Sequence, residues 1–251
     1  MLKVKWLATG DTHGEFSRFY AVQKRAEELD EYYKIIILGD AGLNFWLCKR
    51  DDVLKKRLHE KYPRLQFYCV RGNHEQRPEL VGGMEEVWDD EAKGRVLWQP
   101  EYPNIRYFRD GSVYEICGRR TLVLGGAYSV DKDYRLAKQA QGLYGGWFEG
   151  EQLTEDERKS IEARYLGKHF DLVLAHTCPY RWEPRDLFLS FIDQSKVDKT
   201  MEIWLDNMLD SVIHWDVFLC GHFHDDRTLA PRAQMLYRDI QYLEDIMTYW
   251  S

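Results

Sequence analysis

Along the first third of the chain, short apolar runs alternate with longer stretches whose apolar residues recur at helical spacing. Positions 4–8 predict a strand, 17–29 a helix, 35–38 a strand, 51–61 a helix and 67–70 a strand. Ile35-Ile36-Ile37-Leu38 has no polar interruption, the mark of a strand buried on both faces. Strand and helix in alternation predict a parallel sheet with right-handed crossovers.

The middle of the chain changes character. Positions 105–108, 113–117 and 121–124 predict short strands, separated by Arg109-Asp110-Gly111-Ser112 and Gly118-Arg119-Arg120. Asp-Gly between strands predicts a hairpin, because its turn needs φ > 0 at both central residues. An antiparallel section therefore joins the parallel one. Thr154-Glu155-Asp156-Glu157 reads as a capping box opening a helix that ends near Gly167. A strand follows at 172–175. A helix at 200–214 carries Ile203, Trp204, Leu205, Met208, Leu209 and Val212 on its apolar face. Strands are expected at 217–220 and within 233–244. There is no internal repeat and no linker rich in Pro, Ser or Gly, so 1–251 reads as one domain.

Composition narrows the class. The 251 residues are 44% hydrophobic and 31% charged, which excludes collagen, low-complexity disorder and a membrane-embedded chain. No run approaches the ~20 apolar residues of a membrane span. A net charge of −7 opposes a basic surface for long nucleic acids. The five Cys are odd in number and scattered, without C-x-x-C, which argues against a disulfide framework or a thiolate zinc site. The first eight residues are too short and too interrupted by Lys for a signal peptide, so a cytoplasmic protein is expected.

Ligand sites in open α/β sheets lie beyond the carboxyl ends of the strands. The segments there are Thr9-Gly10-Asp11-Thr12-His13-Gly14, Gly39-Asp40-Ala41-Gly42, Arg71-Gly72-Asn73-His74-Glu75, His176, and Gly221-His222-Phe223-His224. Five of the eight His fall in this set, leaving His59, His169 and His214 outside it. Taken singly, each segment has an ordinary structural explanation: a turn, a helix N-cap, a hydrogen-bonded His. Five of them in order at strand ends point to metal chemistry, since His with carboxylate suits Zn, Fe and Mn.

This set resembles the calcineurin-like metallophosphoesterases, whose pattern is Asp-x-His, Gly-Asp, Gly-Asn-His-Asp/Glu, a lone His and Gly-His-x-His. The resemblance runs from residue 10 to 224. It implies a four-layer α/β/β/α sandwich holding two divalent ions (Mn, Fe or Zn). Asp11, His13 and His224 would hold one ion, Asn73, His176 and His222 the other, and Asp40 would bridge them. The implied reaction is hydrolysis of a phosphomonoester or phosphodiester. Two ions ~3.5–4 Å apart clamp the attacking and leaving oxygens and bring the pKa of a water to about 7. His74 would act at the leaving-group oxygen, a role worth ~10²–10⁴-fold. Arg71 and Arg77 are candidate phosphate contacts. Tyr128 or Lys132, within Gly125–Lys132, is a candidate for the pocket wall. Trp147, Phe148, Tyr180 and Trp182 offer rings for a nucleobase, although core or interface packing explains them better in a chain so rich in Trp.

One departure is plain. The Ser/Thr protein phosphatases of this superfamily continue Gly-Asp with a second Asp and an Arg, whereas Asp40 is followed by Ala41-Gly42-Leu43-Asn44. A small phosphorylated substrate is therefore expected, with a phosphoprotein as the rival favoured by Arg71-Gly72-Asn73-His74-Glu75. A non-catalytic scaffold on the same fold would be expected to lose ligands, and this chain keeps them. A nuclease lacks the basic, aromatic-interleaved surface.

Overall fold

The computed structural model describes residues 5–188, 190 and 192–250; the first position of the expected strand 4–8 lies outside them. The chain opens with β1 (Lys5–Thr9), α1 (Tyr20–Leu29), β2 (Tyr33–Ile37), α2 (Lys49–Lys61) and β3 (Leu65–Cys69). The three strands are parallel neighbours, in register Leu7 to Ile35 to Phe67, as the strand–helix alternation predicts.

Two strands follow that the hydrophobic pattern does not signal, β4 (Glu85–Asp89) and β5 (Gly94–Trp98). They form an antiparallel hairpin at the sheet edge. Most of β4 is solvent-facing and acidic, so it carries no apolar alternation. Its turn is set by Asp89, whose Oδ1 accepts from the N–H groups of Glu91 and Ala92, each at 2.9 Å. Then come β6 (Ile105–Tyr107), β7 (Ser112–Ile116), β8 (Arg119–Leu124), α3 (Lys132–Ala140), α4 (Glu155–Tyr165), β9 (His169–Ala175), α5 (Thr200–Asn207), β10 (His214–Cys220), β11 (Arg227–Ala230), β12 (Ala233–Met235), β13 (Gln241–Tyr242) and α6 (Leu243–Tyr249).

These strands form two mixed sheets. One runs β13-β1-β2-β3-β6-β5-β4 and the other β11-β12-β10-β9-β8-β7. Side-chain alternation sorts the core into three layers. Trp6, Ile36 and Tyr68 of the first sheet meet Val123, Leu172 and Leu219 of the second. The opposite face of the first sheet, Leu7, Ile35, Ile37 and Phe67, packs on Ala26 of α1 and Leu58 of α2. The opposite face of the second, Val173, Ala175 and Phe218, packs on Ile161 of α4 and Trp204 and Leu205 of α5. The architecture is thus the expected four-layer α/β/β/α sandwich.

Three local expectations are corrected. Asp110-Gly111 does not make a hairpin: β6 and β7 lie in different sheets, and this turn carries the chain between them. The Asp110 carboxylate is occupied by the Gly125 N–H (2.9 Å) and Arg71 Nε (2.6 Å). The hairpin lies one strand later, at Cys117-Gly118, where both residues have positive φ (54° and 68°) and Ile116 pairs with Arg119. The 200–214 helix ends sooner, in a π-helical turn over Met208–Val212, and His214 already begins β10. The 233–244 segment divides into β12, β13 and the start of α6. Asp226 divides it, its carboxylate accepting from the N–H groups of Tyr237, Arg238 and Asp239. The capping box is present: Thr154 Oγ1 accepts from Glu157 N–H, and the Glu157 side chain accepts from Thr154 N–H.

Candidate metal centre

Every candidate ligand sits just beyond the carboxyl end of a strand. Asp11 and His13 follow β1, Asp40 follows β2 and Asn73 follows β3, all from the first sheet. His176 follows β9, and His222 and His224 follow β10, from the second sheet. The site is therefore built across the joint between the sheets. Asp11, Asp40, Asn73 and His176 are at most 1% exposed, while the side chains of His13 and His224 are 36% and 48% exposed.

The backbone bends hard to make this cluster. His13 (φ 46°), Asp40 (46°), His222 (74°) and His224 (56°) all occupy the left-handed region. Each such residue costs ~1–2 kcal/mol relative to ordinary backbone, and such strain collects at functional sites. Glycines supply the rest of the close approach. A Cβ at Gly39 would collide with the His176 ring, and one at Gly72 with the Asp40 carboxylate.

Two groups of donor atoms converge. In the first, His13 Nε2 and His224 Nε2 lie 2.8 Å apart, and Asp11 Oδ2 is 3.3 Å from His224 Nε2 and 3.7 Å from His13 Nε2. In the second, His176 Nε2 lies 3.7 Å from Asp40 Oδ2 and 2.8 Å from Asn73 Oδ1. Ligands at ~2.0–2.2 Å from a common ion sit about 3–3.4 Å apart, so these spacings fit shared coordination. Asp11 also falls within reach of Asp40 and His176, so it adjoins both groups. His222 lies beside His176, with ring centroids 4.9 Å apart.

Supporting contacts aim the donors. His176 Nδ1 donates to Leu38 O at 2.8 Å, which fixes the ring with Nε2 aimed at the site. Asn73 Nδ2 donates to Ser129 Oγ at 2.9 Å, which turns Oδ1 inward. His176 Nε2 and Asn73 Oδ1 therefore face each other across the site, 2.8 Å apart. Asp11 Oδ1 accepts from His222 N–H at 2.9 Å, whereas its buried Oδ2 accepts no well-formed hydrogen bond. Asp40 Oδ1 accepts from His74 N–H at 2.8 Å. Arg18 donates to Asp11 O (3.0 Å) and to Tyr237 O, and the Tyr237 ring stacks on His224.

The electrostatics match an anionic carboxylate core. Burial works to raise the Asp40 carboxyl, but the His176, His74 and His13 imidazoles together hold it below its usual range. Burial depresses His222 to about 3, with His176 adding to the effect. The adjacent Asp11 carboxylate raises His224. Burial lowers His74. Glu75, next to His74, is pushed up to about 8 by burial and the nearby Asp40.

Two cavities flank the cluster and share His74 and His224. One, of about 830 Å³, is lined by His13, His74 and His224 with Trp46, Arg50 and Arg57. The other, of about 320 Å³, is lined by Asp40, Asn73, His74 and His222 with Tyr128 and Phe188. His74 thus lies where both open, with its buried Nδ1 unpartnered.

The remaining expected contacts divide. Tyr128 stands in the wall of the smaller cavity. Lys132 is held over the rings of Trp147 and Tyr128. Arg71 and Arg77 do not face either cavity. Arg71, 2% exposed, bonds Asp110, Gly150 O, Glu151 O and Gly125 O. Arg77 bonds both carboxylate oxygens of Glu157 and the carbonyls of Gly150 and Gln152. Four of five donors on each guanidinium are committed to the protein. Phe148 is buried, and Trp182 packs against Trp215 and Phe218, so these rings are core. Sequence reading passes over Ser129, Arg18, Tyr237 and the Trp46–Arg57 wall, because each gains meaning only from its distant partner.

The family model described as calcineurin-like phosphoesterase matches residues 4–226. No curated protein matches the chain in sequence. Among solved structures, the chain is similar to a phosphopantetheinyl hydrolase from Mycobacterium tuberculosis, at 12% identity and a TM-score of 0.40, over 94% of this chain and 88% of that one. It is also similar to a 5'-nucleotidase from Candida albicans SC5314, at 15% identity and a TM-score of 0.38, over 94% of this chain and 46% of that one.

Proposed function

The chain belongs to the calcineurin-like phosphoesterases and is a metal-dependent phosphoric ester hydrolase; we propose that two divalent ions sit in its site and that its substrate is a small phosphomonoester or phosphodiester. Asp11, His13 and His224 would hold one ion and Asn73, His176 and His222 the other, with Asp40 reaching both. The observation that carries this is the convergence of His176 Nε2, Asn73 Oδ1 and Asp40 Oδ2 from strand ends of both sheets, with His176 Nε2 2.8 Å from Asn73 Oδ1 and 3.7 Å from Asp40 Oδ2. Such spacings fit donor atoms shared by one ion. Asp11 Oδ2, His13 Nε2 and His224 Nε2 converge in the same way in the first group, at 2.8, 3.3 and 3.7 Å.

The mixed N/O donor set suits Mn, Fe or Zn. Bound there, such ions supply the positive charge that steadies phosphoryl oxygens and acidifies a water for attack on phosphorus. The protein supplies the rest. Asp40 is held anionic, and its Oδ1 is fixed by the His74 N–H so that Oδ2 stays free for the site. His74, at the mouth of both cavities, donates an N–H hydrogen bond to the leaving oxygen as charge develops there. Arg71, which in sequence favoured a protein phosphatase, is a buried strut.

The test pairs metal content with turnover of p-nitrophenyl phosphate and bis-p-nitrophenyl phosphate. Asp40→Ala and His176→Ala should lose both metal, by elemental analysis, and activity. His74→Ala should retain metal while kcat falls ~10²–10⁴-fold. Normal turnover by an Asp40→Ala protein free of metal would end the proposal.

A further inference from the structure

The larger cavity is far roomier than one phosphate needs, and its charge is one-sided. From Trp46 through α2, the wall presents Trp46, Lys49, Arg50, Val53, Leu54 and Arg57, with no carboxylate among the described residues of the lining. Arg50 and Arg57 are seven positions apart, so they share one side of the helix at about 10 Å along its axis. Both are exposed. Among the described residues neither has an ion-pair or hydrogen-bond partner for its guanidinium. Most arginines around the site differ, Arg18, Arg71, Arg77 and Arg135 being tied to protein oxygens.

Arg50 is also pre-oriented. Its guanidinium lies 3.8 Å from the Trp46 ring centroid. Tyr144 in turn stacks on Trp46 with centroids 4.9 Å apart. Stacking on a ring holds the guanidinium by its face and leaves the in-plane N–H donors open, the arrangement suited to an oxyanion. The smaller cavity offers no such pair. Its cation, Lys199, is bound to Glu183 at 2.7 Å, and Asp198 and Glu202 line the same wall.

Building on the metal-centre reading above, we propose that the α2 wall is a subsite for a second phosphoryl group of the substrate, with Arg50 and Arg57 as its anion-binding residues. The substrate class is then a small organic molecule carrying at least two phosphoryl groups. One is placed at the metal centre for hydrolysis, and the other is held in the groove between Trp46 and Arg57. The one-sided charge also sets direction: the anionic end enters along α2, and the remainder of the substrate points toward Tyr128 and Phe188.

Manganese-loaded protein is titrated calorimetrically with inorganic pyrophosphate and with orthophosphate. Wild type should prefer pyrophosphate by ~10-fold or more, and Arg50→Gln/Arg57→Gln should reduce that ratio to near unity. Lys56→Gln, on the same helix but outside the cavity wall, should preserve it. In turnover, the double variant should lose ~10–100-fold in kcat/KM for a nucleoside diphosphate relative to p-nitrophenyl phosphate, through KM. A preference for pyrophosphate that survives the double substitution overturns the subsite. An equal loss for both substrates overturns it too, as does a short oligonucleotide that binds more tightly than pyrophosphate at the same ionic strength. If no ester is turned over with metal present, the metal-centre reading fails, while the pyrophosphate-to-orthophosphate ratio still decides the groove.

Discussion

Ser129 Oγ accepts a 2.9 Å hydrogen bond from Asn73 Nδ2, and this contact, together with His176 Nε2 2.8 Å from Oδ1, holds the Asn73 amide with its oxygen toward the site. Both Ser129 and Asn73 are buried. Contacts of this kind behind a ligand typically affect metal affinity ~10–100-fold. Ser129→Ala frees the amide to rotate and present N–H₂ where Oδ1 belongs. Weaker metal binding by calorimetry is expected, with the thermal unfolding of the metal-free protein little changed. Unaltered affinity would mean that Asn73 is not held by this contact.

Arg71 yields a prediction of the opposite kind. Its side chain is 1% exposed and pairs with Asp110 at 2.6 Å while capping three carbonyls. Removing one partner of a buried, hydrogen-bonded ion pair strands the other. Arg71→Ala should lower unfolding stability by ~3 kcal/mol, read as a shift in urea midpoint. Arg71→Lys should recover only part, since an ammonium cannot reproduce the planar fork. A variant of wild-type stability with raised KM would instead return Arg71 to the substrate.

Glu202 on α5 makes stability depend on pH. Burial, with Glu183 nearby, pushes its carboxyl up to about 7 against the opposing pull of Thr177 and Lys199. Oε1 accepts from Thr177 Oγ1 at 2.8 Å, while Oε2 has no hydrogen-bond partner among the described residues. An unfolded Glu titrates near ~4.3. Between that value and 7, the folded chain holds a proton that the unfolded chain has lost. This group's favourable contribution is therefore complete below the unfolded pKa and declines as pH rises, by up to ~4 kcal/mol above 7. Glu202→Gln should melt close to wild type at about pH 5 and several degrees higher at about pH 8. Parallel melting curves at both pH values would contradict this.

Much of the fold was legible in the chain because its central strands are apolar on both faces. Ile35-Ile36-Ile37 can only be a buried strand, and the ligands then follow from where each such strand ends. What stayed hidden lacked that signature. The β4 strand is acidic and exposed, and α3 buries no residue, so neither has an apolar face to read. Asp110-Gly111 carries the signal for a turn but not for its destination, which Arg71 and Gly125 set from distant parts of the chain. The same limit applied at the site. Arg71 and Arg77 look like phosphate ligands beside the Asn73-His74 loop, and their carbonyl and carboxylate partners lie 39 to 80 residues further on.

The two sheets meet the metal centre as separate contributors: Asp11, His13, Asp40 and Asn73 from one, His176, His222 and His224 from the other. His13 and His224 touch across 211 positions of sequence. Ions held there would act as a rivet, closing a loop that spans most of the chain and offsetting the strained backbone at its own ligands. Because such a rivet binds the folded chain and not the unfolded one, metal supply would set how much protein survives as well as how fast it works. In a metal-starved cell, protein turnover would then remove the molecule itself along with its activity.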